Sequence, residues 1–194
     1  MEANAAPLQE QFTSQAQQRL IVLLGMWIFL ATEVLFFGGL MVAYAAYRTW
    51  YSAGFAAASH HLDFTLGTLN TAILILSSFC VAVAISAAKE SERRMTLVFL
   101  GLTALLGLCF VGIKGYEWYT AIYDGFGPSH VESTAQPPGF HLFFSLYFIM
   151  TGLHAVHLLI GIVFISGFAL ALRRQKNFAP NQNKLTVIGL YWHF

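Results

Sequence analysis

Glu33 is the residue of this sequence that most needs a chemical explanation, because it lies inside an otherwise apolar stretch, WIFLATEVLFFGG. A charged side chain at the centre of a membrane helix costs about 2.5 to 3.5 kcal/mol on insertion scales, and such residues are functional candidates by default. Two roles are open for it. Glu33 is either a protonated carboxyl group that holds neighbouring helices together, or a site that exchanges protons or binds a lipid.

Lys114 and Glu117 form a second polar feature, in the segment VGIKGYEWYTAIY. Residues three apart lie on one helical face, so the two side chains are predicted to form a local ion pair. The lysine is expected to reach the membrane interface with its long stem, beside a belt of aromatic residues. We interpret the pair as structural.

His154 and His157 stand in IMTGLHAVHLLIG and share one helical face. They could ligate a metal or form hydrogen bonds to a neighbouring helix, but one helix cannot place both on opposite sides of a single haem. The other histidines, at 60, 61, 130, 141 and 193, lie mostly in loops or near the ends of apolar stretches. We therefore predict a structural, hydrogen-bonding role for the pair, with no metal ligand and no catalytic residue in the chain.

The elements that must position these residues are membrane helices. Of the 194 residues, 57% are hydrophobic and only 10% charged, whereas soluble domains usually carry about 25% charged residues. The sequence predicts an all-α, polytopic transmembrane bundle behind a polar N-terminal extension over residues 1–19, with residues 20–194 as one membrane domain. Four complete spans are predicted, over about 20–47, 66–88, 95–123 and 140–172.

A fifth apolar run opens at Leu185 and stops at Phe194, which is too short to cross a bilayer. We expect that further residues follow in a longer protein. Eight of the ten lysine and arginine residues fall on the side of the N-terminus. That distribution predicts a cytoplasmic N-terminus, and a net charge of +1 gives no indication of nucleic-acid binding.

Five motifs occur in an order and spacing that resemble subunit III of the haem-copper oxidases. They are WIFLATEVLFFGGLMVAY, GTLNTAILILSS, GYEWY, TGLHAVHLLIG and YWHF, and they extend from Trp27 to Phe194. The chain is most similar to the short, five-helix bacterial form of cytochrome c oxidase subunit 3. Glu33 falls on that family's in-membrane glutamate, and Glu117, His154 and His157 fall on its other characteristic polar positions. The resemblance therefore implies that these four residues are candidates for lipid- or proton-related roles.

This resemblance implies a non-catalytic subunit of a proton-pumping aerobic terminal oxidase in the bacterial inner membrane. Its partners would be oxidase subunits I and II, which carry haem and copper, together with bound phospholipid and a larger respiratory supercomplex. The subunit itself would hold no cofactor and would support proton uptake during oxygen reduction. Glu33 favours cytochrome c as the electron donor, since an aspartate is usual at this position in the family's quinol oxidases.

Several alternatives stay open at the level of the sequence. Within the same family they are subunit III of a quinol oxidase and the accessory subunit of a nitric oxide reductase. From other classes come a stand-alone proton or ion transporter, which would use the same polar residues as a relay, and a haem-binding membrane cytochrome. The cytochrome is the least favoured of these, because well-placed axial histidines are scarce.

Overall fold

The computed structural model describes residues 13–127, 136–175 and 182–194. The described residues contain helices and connecting turns, with no strand among them, which confirms the all-α prediction. The helices in chain order are α1 (Gln15–Trp50), α2 (Ser52–Ser59), α3 (Phe64–Lys89), α4 (Arg93–Tyr123), α5 (Phe140–Arg174) and α6 (Gln182–His193).

Four of these helices, α1, α3, α4 and α5, are long and apolar enough to cross a membrane. This number agrees with the four predicted spans. The helix α6, which contains the start of the predicted fifth run, begins at Gln182 rather than Leu185. Residues 1–12 of the predicted N-terminal extension and most of the proline-bearing loop before Gly139 lie outside the described residues.

The first helix begins earlier than its apolar stretch because polar side chains start it. The Ser14 hydroxyl accepts a hydrogen bond from the Gln17 backbone N–H at 3.2 Å, and the Gln17 side chain accepts bonds from Thr13 in return. Such reciprocal contacts satisfy backbone N–H groups that the first helical turn cannot pair. The helix therefore extends through the predicted boundary at residue 19, and the division of the chain at that residue stays a prediction.

The helix α2 was not predicted, because the sequence analysis treated the stretch after Arg48 as a connection. Its sequence, SAGFAAAS, is short but places Phe55 and Ala58 in the interior. There they join a core formed with the first turns of α5, chiefly Phe140, Phe143 and Phe144. Gly54 lies so close to the Pro138 carbonyl that a Cβ atom would be 2.2 Å from it, so only glycine permits this approach.

A second core joins α3, α4, α5 and α6. Its fully buried members include Val81, Leu100, Ile165 and Leu185. Trp192 of α6 lies over Gly107 of α4 and Gly161 of α5, whose missing side chains make room for the indole. Small residues at such positions allow the close helix approach on which packing within a membrane depends.

The helix α1 stands apart from this core. It contacts α2, α5 and α6 but neither α3 nor α4 among the described helices. In the most apolar 18-residue stretch of α1 only 6% is buried, compared with 28 to 33% in the corresponding stretches of the other three long helices. Its outward side chains, such as Leu35, Met41 and Val42, therefore present an apolar surface to lipid or to another membrane protein.

Candidate functional site

Glu33 faces a polar cluster that is built from three helices. The Glu33 carboxylate Oε2 lies 3.9 Å from Nδ1 of His157 on α5, and His157 in turn contacts Tyr191 on α6. The side chain of Glu33 is 24% exposed and that of His157 is 9% exposed. The acid on α1 is therefore brought to a largely buried base on α5.

His157 and Tyr191 hold each other by two hydrogen bonds and by ring stacking. The Tyr191 hydroxyl donates to the His157 backbone carbonyl at 3.1 Å, and His157 Nε2 lies 3.1 Å from the Tyr191 carbonyl. The two rings stack with centroids 4.1 Å apart. These contacts fix the imidazole at the junction of α5 and α6.

This arrangement defines where protons can sit in the cluster. A backbone carbonyl only accepts hydrogen bonds, so the Nε2 atom of His157 must carry a proton to bond with Tyr191. The other nitrogen, Nδ1, then faces Glu33. The separation of 3.9 Å is too long for a direct hydrogen bond but short enough for electrostatic coupling.

The cluster opens into a groove between α1 and α5 of about 410 Å³. Among the described residues that line it, Glu33 is the one acid and His157 the one base, and the others are aromatic or aliphatic: Phe29, Phe36, Phe37, Leu153, Val156, Ile160, Phe164 and Tyr191. An apolar groove with a few convergent polar groups is typical of a ligand site. The chemistry of this one suits an acyl chain with a polar group near Glu33.

Lys114 and Glu117 form a separate cluster with Tyr147 of α5. Lys114 Nζ lies 2.8 Å from Glu117 Oε2, and the Tyr147 hydroxyl donates to Glu117 Oε1 at 2.5 Å. Lys114 also lies 3.5 Å from the Tyr147 hydroxyl and 5.5 Å from the centre of its ring. The ammonium is therefore held against Tyr147, with 14% of the side chain exposed, whereas the sequence analysis expected it to reach outward.

A second bond beside this cluster also joins α4 to α5. The Trp118 indole N–H donates to the Thr151 hydroxyl at 3.2 Å, and that hydroxyl donates to the Tyr147 carbonyl at 2.6 Å. A Cβ atom on Gly152 would lie only 3.2 Å from the Trp118 ring, so glycine at this position leaves room for the indole. Trp118 of the GYEWY segment thus helps to fix the two helices in register.

His154 does not join His157, although the two share one face by spacing. The His154 ring packs edge-on against Phe110 of α4, with centroids 5.8 Å apart, whereas His157 turns toward α1 and α6. Among residues 13–127, 136–175 and 182–194, no group of three or more His, Cys, Asp or Glu residues could hold a metal ion. The pair is therefore divided between two helix interfaces.

Comparison with known families gives a match to one family model, cytochrome c oxidase subunit III, over residues 3–194. The chain belongs to this family. The subunit III family consists of non-catalytic subunits without metal sites of their own. Membership also makes this chain one subunit of a multi-subunit oxidase and an integral membrane protein.

Several curated relatives match most of this subunit III chain. It is 26% identical over 170 residues to the cytochrome bo(3) ubiquinol oxidase subunit 3 of Pseudomonas aeruginosa, and the aligned residues cover 88% of this chain and 76% of the relative. It is 28% identical over 171 residues to a probable quinol oxidase subunit 3 of Staphylococcus epidermidis, covering 88% and 80%. The quinol oxidase subunit 3 of Bacillus subtilis is 26% identical over 180 residues, covering 93% and 83%.

Two tyrosines of the subunit III sites were missed by reasoning from the sequence. Tyr191 lies within the YWHF motif, which was noted only for its resemblance, and Tyr147 was not singled out at all. Tyr191 is 34 residues from His157, and Tyr147 is 30 residues from Glu117. Hydrophobic periodicity says nothing about which distant residue faces a polar group, so only the packing of helices reveals these partners.

Proposed function

We propose that this chain is the non-catalytic subunit III of a bacterial aerobic terminal oxidase, packed beside a catalytic subunit I that works with a subunit II. In this role it stabilises the catalytic subunit, holds phospholipid and supports proton uptake during oxygen reduction. The family match over residues 3–194 is the observation that carries the proposal. The bundle adds a physical argument, because its polar clusters join helices and leave an apolar groove of about 410 Å³ that would hold an acyl chain.

Quinol is the electron donor that the relatives favour. The three relatives described above are named as subunits of quinol or ubiquinol oxidases. Cytochrome c remains the second candidate, since Glu33 stands where an aspartate is usual in quinol oxidases and since the family takes its name from cytochrome c oxidase. Neighbouring subunits decide between them, because oxidation of cytochrome c requires a dinuclear copper site in subunit II.

We infer that the protein lies in the bacterial plasma membrane with its N-terminus in the cytoplasm. Described basic residues at one end of the bundle include Lys89, Arg94 and Arg174, which are exposed. Arg93 at the same end donates to the Arg173 carbonyl at 2.8 Å and joins the start of α4 to the end of α5. An excess of lysine and arginine is typical of cytoplasmic ends of membrane helices.

The cluster of Glu33, His157 and Tyr191 is proposed as the lipid- and proton-related site of the subunit. We expect Glu33→Ala to shorten the working life of the enzyme about tenfold while leaving the initial rate within about twofold, because catalysis occurs in another subunit. Oxygen consumption of the purified complex, followed until it stops, measures both quantities. Glu90→Ala, which removes an exposed carboxylate from the turn before α4, is the matched control.

An immediate fall in initial rate with an unchanged lifetime would contradict this role for Glu33. Lipid bound in the groove can be tested separately by mass spectrometry of the purified complex. Absence of retained phospholipid from the native complex would count against the lipid part of the proposal.

Purification through a tag on this chain tests the function as a whole. Extraction in mild detergent should yield haem-copper subunits together with this chain, and the optical spectrum of the haem should remain with subunit I after dissociation. The spectrum and the identity of subunit II then name the electron donor. If the chain is recovered alone and colourless, and carries protons or ions across liposomes by itself, the stand-alone transporter replaces the proposed function.

A further inference from the structure

One buried polar residue, Asn70 of α3, belongs to neither of the clusters described above. It is 2% exposed, and both the nitrogen and the oxygen of its side-chain amide are without a hydrogen-bond partner among the described residues. Such an amide has two N–H groups to donate and an oxygen that accepts two bonds. Because lipid and apolar side chains can pair with none of these groups, burial of an unpaired amide is costly, and Asn70 requires a ligand that both donates and accepts.

The register between α3 and α4 shows what lies opposite Asn70. The two helices run antiparallel, and the Ser77 hydroxyl of α3 donates to the Thr103 carbonyl of α4 at 3.3 Å. Seven residues make about two turns of helices that pack in this way. Asn70 comes seven residues before Ser77 on α3. Phe110 comes seven residues after Thr103 on α4, and it is buried like Asn70. Asn70 is therefore level with Phe110, and Lys114 lies one turn farther along α4.

Open space lies one turn from the amide, at Gly67. This glycine shares a helix face with Asn70 and is half-buried, yet a Cβ atom on it would meet nothing within 4 Å. By the same register, Gly67 is level with the turn of α4 that carries Lys114. The Lys114 ammonium contacts Glu117 and the Tyr147 hydroxyl among the described residues, so one of its three N–H donors is left for another acceptor. An amide on α3 and a cation on α4 therefore lie at neighbouring levels of this space.

Water is the ligand that suits this space. The helix α3 begins at Phe64, which is 86% exposed, and the exposed Asp63 caps it by accepting the Thr65 N–H at 2.8 Å. Asn70 is seven residues from this polar helix end, or about 10 Å along the axis, so water has a short path to it. A buried water typically makes about three hydrogen bonds to polar groups that would otherwise be unpaired. An acyl chain would form none of these bonds with the amide.

We propose that Asn70 holds an internal water molecule between α3 and α4. The water joins the amide to a backbone carbonyl of α4, as the Ser77 hydroxyl does directly two turns away, and the space at Gly67 connects it to the turn that carries Lys114. A polar group at one position of an apolar helix interface fixes the register of the two helices, so this water also fixes how α3 pairs with α4. The site is separate from the groove at Glu33 and depends only on the membrane location of the bundle.

Electron cryo-microscopy of the intact complex, at a resolution that shows ordered water, tests the site directly. The native map should contain a water density about 2.7 to 3.2 Å from an amide atom of Asn70. Asn70→Leu nearly preserves the side-chain volume but removes both polar atoms, so this density should be lost. Thr71→Val is the matched control, because Thr71 is exposed and its hydroxyl donates to the Gly67 carbonyl of its own helix. The control should keep the water.

Two further readouts support the comparison. Leucine replaces the amide together with its water by an apolar side chain, so the melting temperature of the Asn70→Leu complex should equal or exceed that of the unchanged complex. Asn70→Ser keeps one polar group on α3 and should retain a water density at the site. The native map by itself decides whether water binds Asn70, so the test does not depend on the assembly of any variant.

Three results would overturn the proposal. A native map that shows other ordered waters but no density at the amide would mean that the interface at Asn70 is dry. Density continuous with an acyl chain, or with a side chain of a neighbouring subunit, would identify a different ligand for the amide. An unchanged water density in Asn70→Leu would show that α4 holds the water without Asn70.

Discussion

The ion pair of Lys114 and Glu117 gives a quantitative prediction about charge inside the bundle. Glu117→Gln preserves the shape of the side chain and an acceptor for Tyr147 but removes the countercharge of Lys114. Removing one partner of a buried pair costs about 3 to 5 kcal/mol, because the other charge is left in a poorly solvated place. We expect a loss of about 3 kcal/mol in the free energy of unfolding, at the lower end of that range. The Tyr147 hydroxyl and ring remain near the ammonium and account for the smaller cost.

The double variant Lys114→Met/Glu117→Gln separates charge from shape. It removes both charges while keeping two side chains of similar length, so its stability should lie within about 1 kcal/mol of the unchanged protein. The single Lys114→Met should be destabilising, because Glu117 then has only the Tyr147 hydroxyl as a donor. Tyr116→Phe, at an exposed residue between the two, is the control and should change stability by less than about 0.5 kcal/mol.

Steric trapping in bicelles provides the assay. Two biotin tags on the chain bind streptavidin together only after the helices separate, so the binding curve reports the free energy of unfolding. Equal losses for Glu117→Gln and for the double variant would refute the reasoning, since they would mean that the charge of Lys114 does not depend on Glu117.

Two further predictions concern α6. Gly107→Ala places a Cβ 2.8 Å from the Trp192 ring and should lower stability by about 1 to 3 kcal/mol. The control, Gly101→Ala, meets nothing within 4 Å and should be neutral or slightly stabilising. Thermal denaturation of the complex compares the two variants, and equal melting temperatures would contradict the packing of Trp192. Tyr191→Phe keeps the ring stacked on His157 but loses the bond from its hydroxyl, at a cost of about 1 kcal/mol in the same assay. Tyr191→Ala also removes the stacked ring and should cost more, so equal losses for the two variants would contradict a contribution from the stacking.

The long helices were predictable because composition alone specifies them. Runs of more than 20 apolar residues bounded by charge have no other stable form in a membrane protein, so the four spans follow directly from the sequence. The helix α2 escaped prediction because eight residues with one phenylalanine carry too weak a pattern. It is stabilised by Phe140 and Phe143, far along the chain, rather than by its own sequence.

The candidate site was predictable only where its partners are near in sequence. The pairing of Lys114 with Glu117 follows from a helical spacing of three, and the structure forms it at 2.8 Å. Spacing also grouped His154 with His157, yet the two contact different helices. The direction of a side chain across a bundle depends on how helices rotate against one another, and a single sequence contains no measure of that rotation.

The position of α1 at the margin of the bundle has a consequence for biogenesis. Of the four described spans it is synthesised first, yet its contacts are with α2, α5 and α6 and not with the α3–α4 hairpin among the described helices. Two later spans must therefore insert before α1 finds a long partner helix. Until His157 and Tyr191 are synthesised, the Glu33 carboxyl has neither of the residues that surround it in the finished bundle. Throughout that interval α1 has no long partner helix and carries an acid at its middle, so an insertase or a waiting partner subunit would offset the cost of holding that acid in the membrane.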